Sequence, residues 1–395
     1  MRLAYLFERF PTFSQTFCYR EVAELLRQRA EIDIYSCRRP TGEPRQDWDE
    51  QVVQRVHYLP EEKPLVEHVE RILRKHRLPL VREAIERWGR KTDFLRLQQA
   101  VYVGARLHDN SIRYLHAHFA GLAARTAYWI KEFFHIGFSF TAHANDIFAP
   151  REFEIDLGKL VNTARFIVTE SDYAANFLRN RFPDRADRIH RVYNGVELAE
   201  FRRAQFSASV PTIISVGRLI EKKGFRYLVE ACRLLKEGGR SFRCQIIGEG
   251  PLEADLRAQI EEMNLQDQVD LLGPKSQREI INALAAATLF VLPSVMDAQG
   301  GMDNLPSVIM EAMASGLAVV STHIGGIPEM VVENTTGFLV ASKDAAALAN
   351  AIDKLIADLS LARRFGENGY KRARELFAIE KSARALLDFF ARFTL

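Results

Sequence analysis

Short apolar runs alternate along the whole chain with longer segments whose apolar residues recur at helical spacing. In the first half the runs are Leu3–Phe7, Ile32–Tyr35, Val56–Leu59, Tyr114–Ala117, Phe138–Thr141, Phe166–Thr169 and Ile189–Tyr193. Amphipathic stretches separate them at Gln15–Arg29, Leu65–Lys75, Phe94–Leu107, Leu122–Phe134 and Tyr173–Arg181. A polar stretch, Glu200–Ser209, interrupts the pattern. It restarts with runs at Thr212–Val216, Phe242–Ile247, Val269–Leu272, Leu289–Leu292, Ala318–Ser321 and Gly337–Val340. Helical spacing returns at Phe225–Lys236, Leu252–Met263, Gln277–Ala286, Ser307–Ala314 and Ala345–Leu355. Strands alternating with helices predict βαβ units and parallel sheets. The expected fold class is therefore α/β, with two doubly wound Rossmann-like domains over residues 1–200 and 201–375. A final stretch, Ala383–Arg392, carries Leu386, Leu387, Phe389 and Phe390 and predicts a packing helix within about 376–395. Such sheets take ligands at the carboxyl ends of their strands, so residues just after strands matter most, and two facing domains predict a ligand cleft between them.

Composition adds limits. A chain of 395 residues is long enough for two cores, and 47% hydrophobic with 27% charged residues is ordinary for a globular protein. The net charge of +3 provides no field for nucleic acid. Basic residues concentrate in 71–113, interleaved with Ile72, Leu73, Leu80, Val81, Trp88 and Phe94. This suits either an anionic membrane surface or a solvated helical face. Cys18, Cys37, Cys232 and Cys244 show no CxxC spacing and read as small buried apolar residues. The first residues are too short for a signal-peptide core and no apolar run spans a membrane, so the expected location is cytoplasmic.

Three segments of the second half carry candidate chemistry. Val216-Gly217-Arg218-Leu219, followed by Lys223-Gly224, begins at a strand end and enters a helix. Arg offers paired donors and Lys a compact charge, which together suit a diphosphate; a solvated basic turn is the plainer alternative. Asp303-Asn304-Leu305-Pro306 precedes a helix holding Glu311 two turns on, with Pro306 placed for the first turn and Gly316 just past the end. A carboxylate beside Met310, Ala312 and Met313 needs a partner, which a ribose diol or a salt bridge would provide. Gly248-Glu249-Gly250-Pro251 closes a strand and would let a nucleotide approach the backbone, although G-x-G alone is weak.

Taken in order, these residues resemble the retaining glycosyltransferases of family 4, which have the GT-B fold of two facing Rossmann-like domains. The resemblance implies that Arg218 and Lys223 bind donor phosphates, Glu311 the ribose, and Asp303 the donor sugar. Gly217, Gly248, Gly250, Asn304, Leu305 and Pro306 would line the donor. The family usually has Glu where Asp303 stands, which bears on the identity of the sugar.

The first half is similar to a bacterial exopolysaccharide branch of the family. The segments that carry this likeness are Phe10-Pro11-Thr12-Phe13-Ser14-Gln15-Thr16-Phe17, His116-Ala117-His118-Phe119 and Thr141-Ala142-His143-Ala144-Asn145-Asp146. A Ser14-Gln15-Thr16 loop replaces the usual Gly-Gly loop after the first strand, with Ser14 placed either as a helix N-cap or as a residue facing the cleft. The resemblance implies that His143 touches the donor sugar near the reacting carbon. Ser14, Gln15, Thr16, His118, Asn145 and Asn194 are the expected acceptor residues, and the last helix is expected to return to the first domain. A satisfied core histidine is the alternative for His143, and a turn role for Asn194.

The expected reaction is retaining transfer of a hexose from a uridine- or guanosine-diphosphate sugar to a glycan or lipid-linked acceptor. It uses no cofactor and no metal. Arg218 and Lys223 stand in for the divalent ion, and the one Asp-x-Asp, Asp47-Trp48-Asp49, reads as a solvated loop. A zinc site at His116 and His118 lacks a third and fourth ligand that sequence can place. Rival readings are a nucleotide-sugar epimerase, a sugar phosphorylase, and a non-catalytic sugar-nucleotide-binding module. A dinucleotide oxidoreductase lacks its G-x-G-x-x-G after the first strand.

Overall fold

The computed structural model describes residues 2–43, 47–75, 78–88, 94–148, 153–206 and 210–394. Residues 207–209 of the polar stretch, and 76–77 and 89–93 of the basic region, lie outside these. The described residues form two compact units. The first comprises Met1–Glu170, Ala175–Val192 and Ala383–Leu395, and the second Ser171–Ala174 and Tyr193–Ser382.

The first unit holds seven parallel strands: β1 (Arg2–Arg9), β2 (Glu31–Arg38), β3 (Val56–Tyr58), β4 (Tyr114–His118), β5 (Gly137–Ala142), β6 (Ile167–Thr169) and β7 (Ile189–Arg191). Their order is β3-β2-β1-β4-β5-β6-β7, so the chain reverses its direction of travel between β1 and β4. The second unit holds β8 (Thr212–Val216), β9 (Arg243–Ile247), β10 (Val269–Leu271), β11 (Leu289–Leu292), β12 (Ala318–Thr322) and β13 (Gly337–Val340). Here the order is β10-β9-β8-β11-β12-β13, with the reversal between β8 and β11. Central strands are apolar on both faces because helices cover both, as in Leu289–Leu292 and Ala318–Thr322, where every residue is buried.

Each unit has its own core. Tyr5, Phe7, Phe10, Val22 and Phe166 lie in the first, together with Leu386 and Phe390 of the last helix, Ile379–Thr394. That helix is amphipathic at a 3.6-residue period, which is why one stripe of it completes a core begun almost 400 residues earlier in the chain. An 18-residue helix, Leu359–Leu376, is absent from the sequence reading, as are Pro79–Trp88 and Leu157–Thr163. Among the described residues no helix is long and apolar enough to cross a membrane.

Candidate functional site

In the second unit, the loops after β8, β9, β11 and β12 meet where the sheet reverses. Gly248 makes this possible. It sits at φ +145°, and a Cβ there would lie 1.9 Å from the Gly217 carbonyl oxygen, so any side chain would push the two loops apart. Gly250 presses in the same way on the backbone of Leu219.

Arg218, the second residue past β8, is exposed; burial, then the charges of Lys223 and Arg218, depress the Lys222 ammonium against the pull of Asp303. Lys223 lies on a short turn, Glu221–Lys223, with its stem over Gly217, and Nζ donates to Asp303 Oδ2 at 2.7 Å. Lys222 Nζ stands 3.8 Å from the other Asp303 oxygen, and Ser294 Oγ donates to Asp303 Oδ2 at 2.9 Å. Thr322 Oγ1 in turn donates to the Ser294 carbonyl at 2.6 Å, tying the loop after β11 to the end of β12. Burial pushes the Asp303 carboxyl up, but Lys223, Lys222 and the Ser294 hydroxyl outweigh it and hold the group below its ordinary 3.8. Asp303 is therefore an ionised carboxylate in a buried place, 7% exposed.

Asn304 is buried and accepts from Ser171 Oγ at 2.7 Å. Leu305 is also buried, and Pro306 stands at the N-cap of helix Ser307–Ala314, one position before the first turn in which the sequence placed it. Its fixed φ suits either position. Glu311 lies on that helix at 3% exposure, and Gly316 follows the helix end at φ +72°. The Arg218, Lys223, Asp303 and Glu311 positions thus come from loops and a helix at one edge of one sheet. A ligand there would meet the cations of Arg218, Lys222 and Lys223 and the paired Asp303 carboxylate, while Glu311 is buried on the helix that follows.

The first unit holds a second polar cluster, at the carboxyl ends of β4 and β5. His143 Nδ1 donates to Glu170 Oε2 at 2.7 Å, and its Nε2 lies 3.3 Å from His118 Nδ1. The other nitrogen of His118 meets Glu21 Oε1 at 3.0 Å, and Tyr5 donates to the same oxygen at 2.9 Å. Cys18 Sγ stands 3.5 Å from His118 Nδ1. Burial works against protonating His143, but Glu170, with Asp146 and Glu21, outweighs it and holds the imidazole above its ordinary 6.5. Burial, with Glu21 and Glu170, pushes the Cys18 thiol well up. His116 is pushed well down by burial and by the two neighbouring histidines, and its nitrogens pair with Ser139 and Thr141 hydroxyls at 2.8 and 3.0 Å. Asp146 accepts from the His143 and Ala120 backbone amides, both at 3.0 Å, and so fixes the loops after β4 and β5 together.

Several first-half expectations change here. His118, expected at the acceptor, is 1% exposed with both nitrogens engaged, because its strand turns it toward the helix bearing Glu21. A sugar contact by His143 would have to displace His118 from Nε2. Ser14 does not cap a helix: it lies exposed within the 3-10 turn Phe13–Gln15, and helix Thr16–Arg27 begins after Gln15 with no side-chain cap. Asn145 is exposed on helix Ala144–Phe148. Asn194 is half-buried beside Gly195, where a Cβ would lie 2.5 Å from the Ile379 backbone. His116 and His118 gain a third possible metal ligand in Glu21, and His118 gains a different pair in Cys18 and His143. Sequence reasoning missed Cys18, Glu21 and Glu170. Two polar or ionisable residues on the buried face of an amphipathic helix, Cys18 and Glu21, were the available signal.

Residues 198–372 match the family described as Glycosyl transferases group 1, and residues 14–200 match Glycosyltransferase Family 4. Over 160 residues the chain is 46% identical to WcaL of Escherichia coli (strain K12), named for glycosyl transfer in colanic acid biosynthesis. Over 172 residues it is 43% identical to the amylovoran biosynthesis glycosyltransferase AmsK of Erwinia amylovora. These matches take in 40% and 43% of this chain but 39% and 42% of the relatives, so the chain spans about two fifths of their length. Among solved structures, a glycosyltransferase from Rickettsia africae ESF-5 has a TM-score of 0.74 at 18% identity, over 100% of this chain and 99% of that one. Anabaena Alr3699/HepE in complex with UDP-glucose has a TM-score of 0.73 at 18% identity, over 99% and 100%. At such identity the likeness concerns the fold.

Proposed function

The chain belongs to the family 4 glycosyltransferases and has their GT-B fold, and on that premise we propose that it is a hexosyltransferase of bacterial exopolysaccharide synthesis. The donor is a nucleotide-diphosphate sugar, of uridine or guanosine, and the acceptor a glycan or a lipid-linked sugar. One observation carries this reading: Lys223, Lys222 and Asp303 form a buried charge cluster where the second sheet reverses, with Arg218 exposed beside it.

In this reading Arg218 and Lys223 hold the diphosphate and take up the negative charge that grows as the bond from sugar to phosphate oxygen breaks. The two cations do for the phosphates what a divalent ion does in other transferases. Asp303, shorter than the glutamate usual in the family, meets a donor-sugar hydroxyl and keeps Lys223 in place. Glu311, on the helix that follows, accepts from the ribose diol. The acceptor hydroxyl attacks the face the phosphate leaves, passing its proton to the departing oxygen, so configuration is retained. Leu80, 54% exposed among exposed Arg74, Lys75, Arg82 and Arg87, supports peripheral contact with an anionic membrane surface.

Thermal-shift screening of uridine, guanosine and adenosine sugar nucleotides tests the donor claim. One base class should stabilise the protein, and Glu311→Gln should weaken that donor more than its 2′,3′-dideoxy analogue. Failure of every sugar nucleotide to bind would end the reading. Conversion of donor without acceptor would replace it with an epimerase, and a need for inorganic phosphate alone with a phosphorylase.

A further inference from the structure

The two oxygens of the Asp303 carboxylate have different neighbours. Oδ2 accepts from Lys223 Nζ at 2.7 Å and from Ser294 Oγ at 2.9 Å, whereas Oδ1 faces Lys222 Nζ at 3.8 Å. All three charged side chains are nearly buried, with exposures of 8% for Asp303, 13% for Lys223 and 11% for Lys222. A charge-assisted hydrogen bond from an ammonium to a carboxylate is about 2.7–2.9 Å long, so Lys222 stands about 1 Å short of one. A lysine ends in a flexible four-carbon stem, and turning its last bonds covers that distance without moving the backbone.

The backbone that carries the two lysines is tied to the loop after β11. Val295 N donates to the Lys222 carbonyl at 2.9 Å, and Lys223 N closes the turn onto the Ile220 carbonyl at 3.0 Å. Gly224, at φ +67°, packs so closely that a Cβ there would lie 1.9 Å from the Pro293 carbonyl oxygen. The side chains, rather than the turn, are the parts that can change partner. A diphosphate that draws Lys223 Nζ away takes the nearest cation from a nearly buried carboxylate, and an uncompensated buried charge strongly opposes that move. Lys222 is the cation next in line. It has Asp303 and Asp297 as neighbours of opposite charge, and Lys223 and Arg218 as neighbours of like charge.

On the premise that the second unit binds a sugar diphosphate, we propose that Lys222 is a positioning residue that exchanges with Lys223. When the diphosphate takes Lys223, Lys222 closes on Asp303 Oδ1 and keeps the carboxylate paired. Only ion pairs and hydrogen bonds change, and no proton moves. Two successive lysines on one tight turn make the exchange feasible, because each faces a different oxygen of the same carboxylate. The device depends on the charge at 303: an uncharged side chain there would not hold Lys223 back and would not need Lys222.

The nucleoside diphosphates UDP and GDP are the probes, titrated calorimetrically into the full chain as wild type, Lys222→Met, Asp303→Asn and the double variant. Lys222→Met should raise Kd at least about tenfold where Asp303 is intact, and less than about threefold where Asp303→Asn is already present, the non-additivity of residues that share one partner. Lys223→Met should raise Kd in both backgrounds, because it removes the phosphate contact itself. The empty Lys222→Met chain keeps the Lys223–Asp303 pair, so its melting temperature should stay within a few degrees of wild type. Should it unfold, Lys222→Gln, which can still donate a neutral hydrogen bond, reads the same cycle. The proposal fails if the two factors for Lys222 agree within about threefold, since a direct phosphate contact or a long-range charge would act alike in both backgrounds. If neither UDP nor GDP binds the wild-type chain, the donor reading falls and the exchange falls with it.

Discussion

Lys223 and Asp303 stand 80 residues apart in the chain, and Nζ of one lies 2.7 Å from Oδ2 of the other. The contact joins the loop after β8 to the loop after β11, the two loops that flank the reversal of the second sheet. On the proposed reading, a lysine held this way is both pre-oriented for a diphosphate and neutralised until one arrives.

Replacing Lys223 should therefore separate chemistry from folding. In Lys223→Met, transfer should fall about 100-fold, the scale on which one preorganised charge acts at a developing anion. Lys222, 3.8 Å from Asp303, still faces the buried carboxylate, so the melting temperature should move by only a few degrees. Steady-state kinetics and a melt of the same preparation check both parts; unchanged kcat would remove Lys223 from the mechanism.

Gly248→Ala places a methyl group 1.9 Å from the Gly217 carbonyl oxygen at a φ of +145°. The loop bearing Arg218 must move. Urea unfolding should show a loss of about 1–3 kcal/mol, and the donor KM should rise at least about tenfold. Gly238→Ala, exposed at φ −72° and ψ 4° with its nearest neighbours at 3.4 Å, is the control expected to change neither.

Acid should weaken the second unit through Asp303. Its carboxyl is held below 3.8 in the folded protein, so the stability it contributes is full above the unfolded value and is lost as pH falls through the folded one. The stability difference between wild type and Asp303→Asn should stay constant from about pH 7 to about pH 5 and shrink below about pH 4. Urea titrations at each pH measure it, and a difference independent of pH would show that Asp303 is not ionised where it sits.

Phe390 completes the first core from the far end of the chain, with its ring 5.3 Å from His116 and 5.9 Å from Phe166. Phe390→Ala should cost the first unit about 3–5 kcal/mol, the usual range for a buried aromatic. Calorimetry should show the transition of the first unit lowered and that of the second unmoved. A shift of both together would mean that the two unfold as one.

The charge cluster of the second unit was largely legible in the sequence. Arg218 and Lys223 follow β8, Asp303 ends the long loop after β11 and Glu311 lies on the next helix, so position relative to parallel strands is enough to bring the loops to one sheet edge, although Lys222 was not singled out. The first-unit cluster was legible only in pieces. His116, His118 and His143 stood out, but the sequence could not say that His116 would spend both nitrogens on hydroxyls of β5 while His118 turned to Glu21.

Local pattern determined the alternation of strands and helices, their parallel pairing class and the loops that carry chemistry, because side-chain periodicity is a property of neighbours in the chain. Contacts between distant segments decided the rest. Helix Leu359–Leu376 escaped the pattern because Gly366 and Gly369 interrupt its apolar stripe, and those glycines make sense only in three dimensions: a Cβ at Gly366 would lie 1.9 Å from the Gly316 carbonyl oxygen. Likewise, no local rule brings Cys18 beside His118 and His118 beside His143. Strand order and register do so, and these are set by which strands pack next to one another, a choice made by the whole sheet at once.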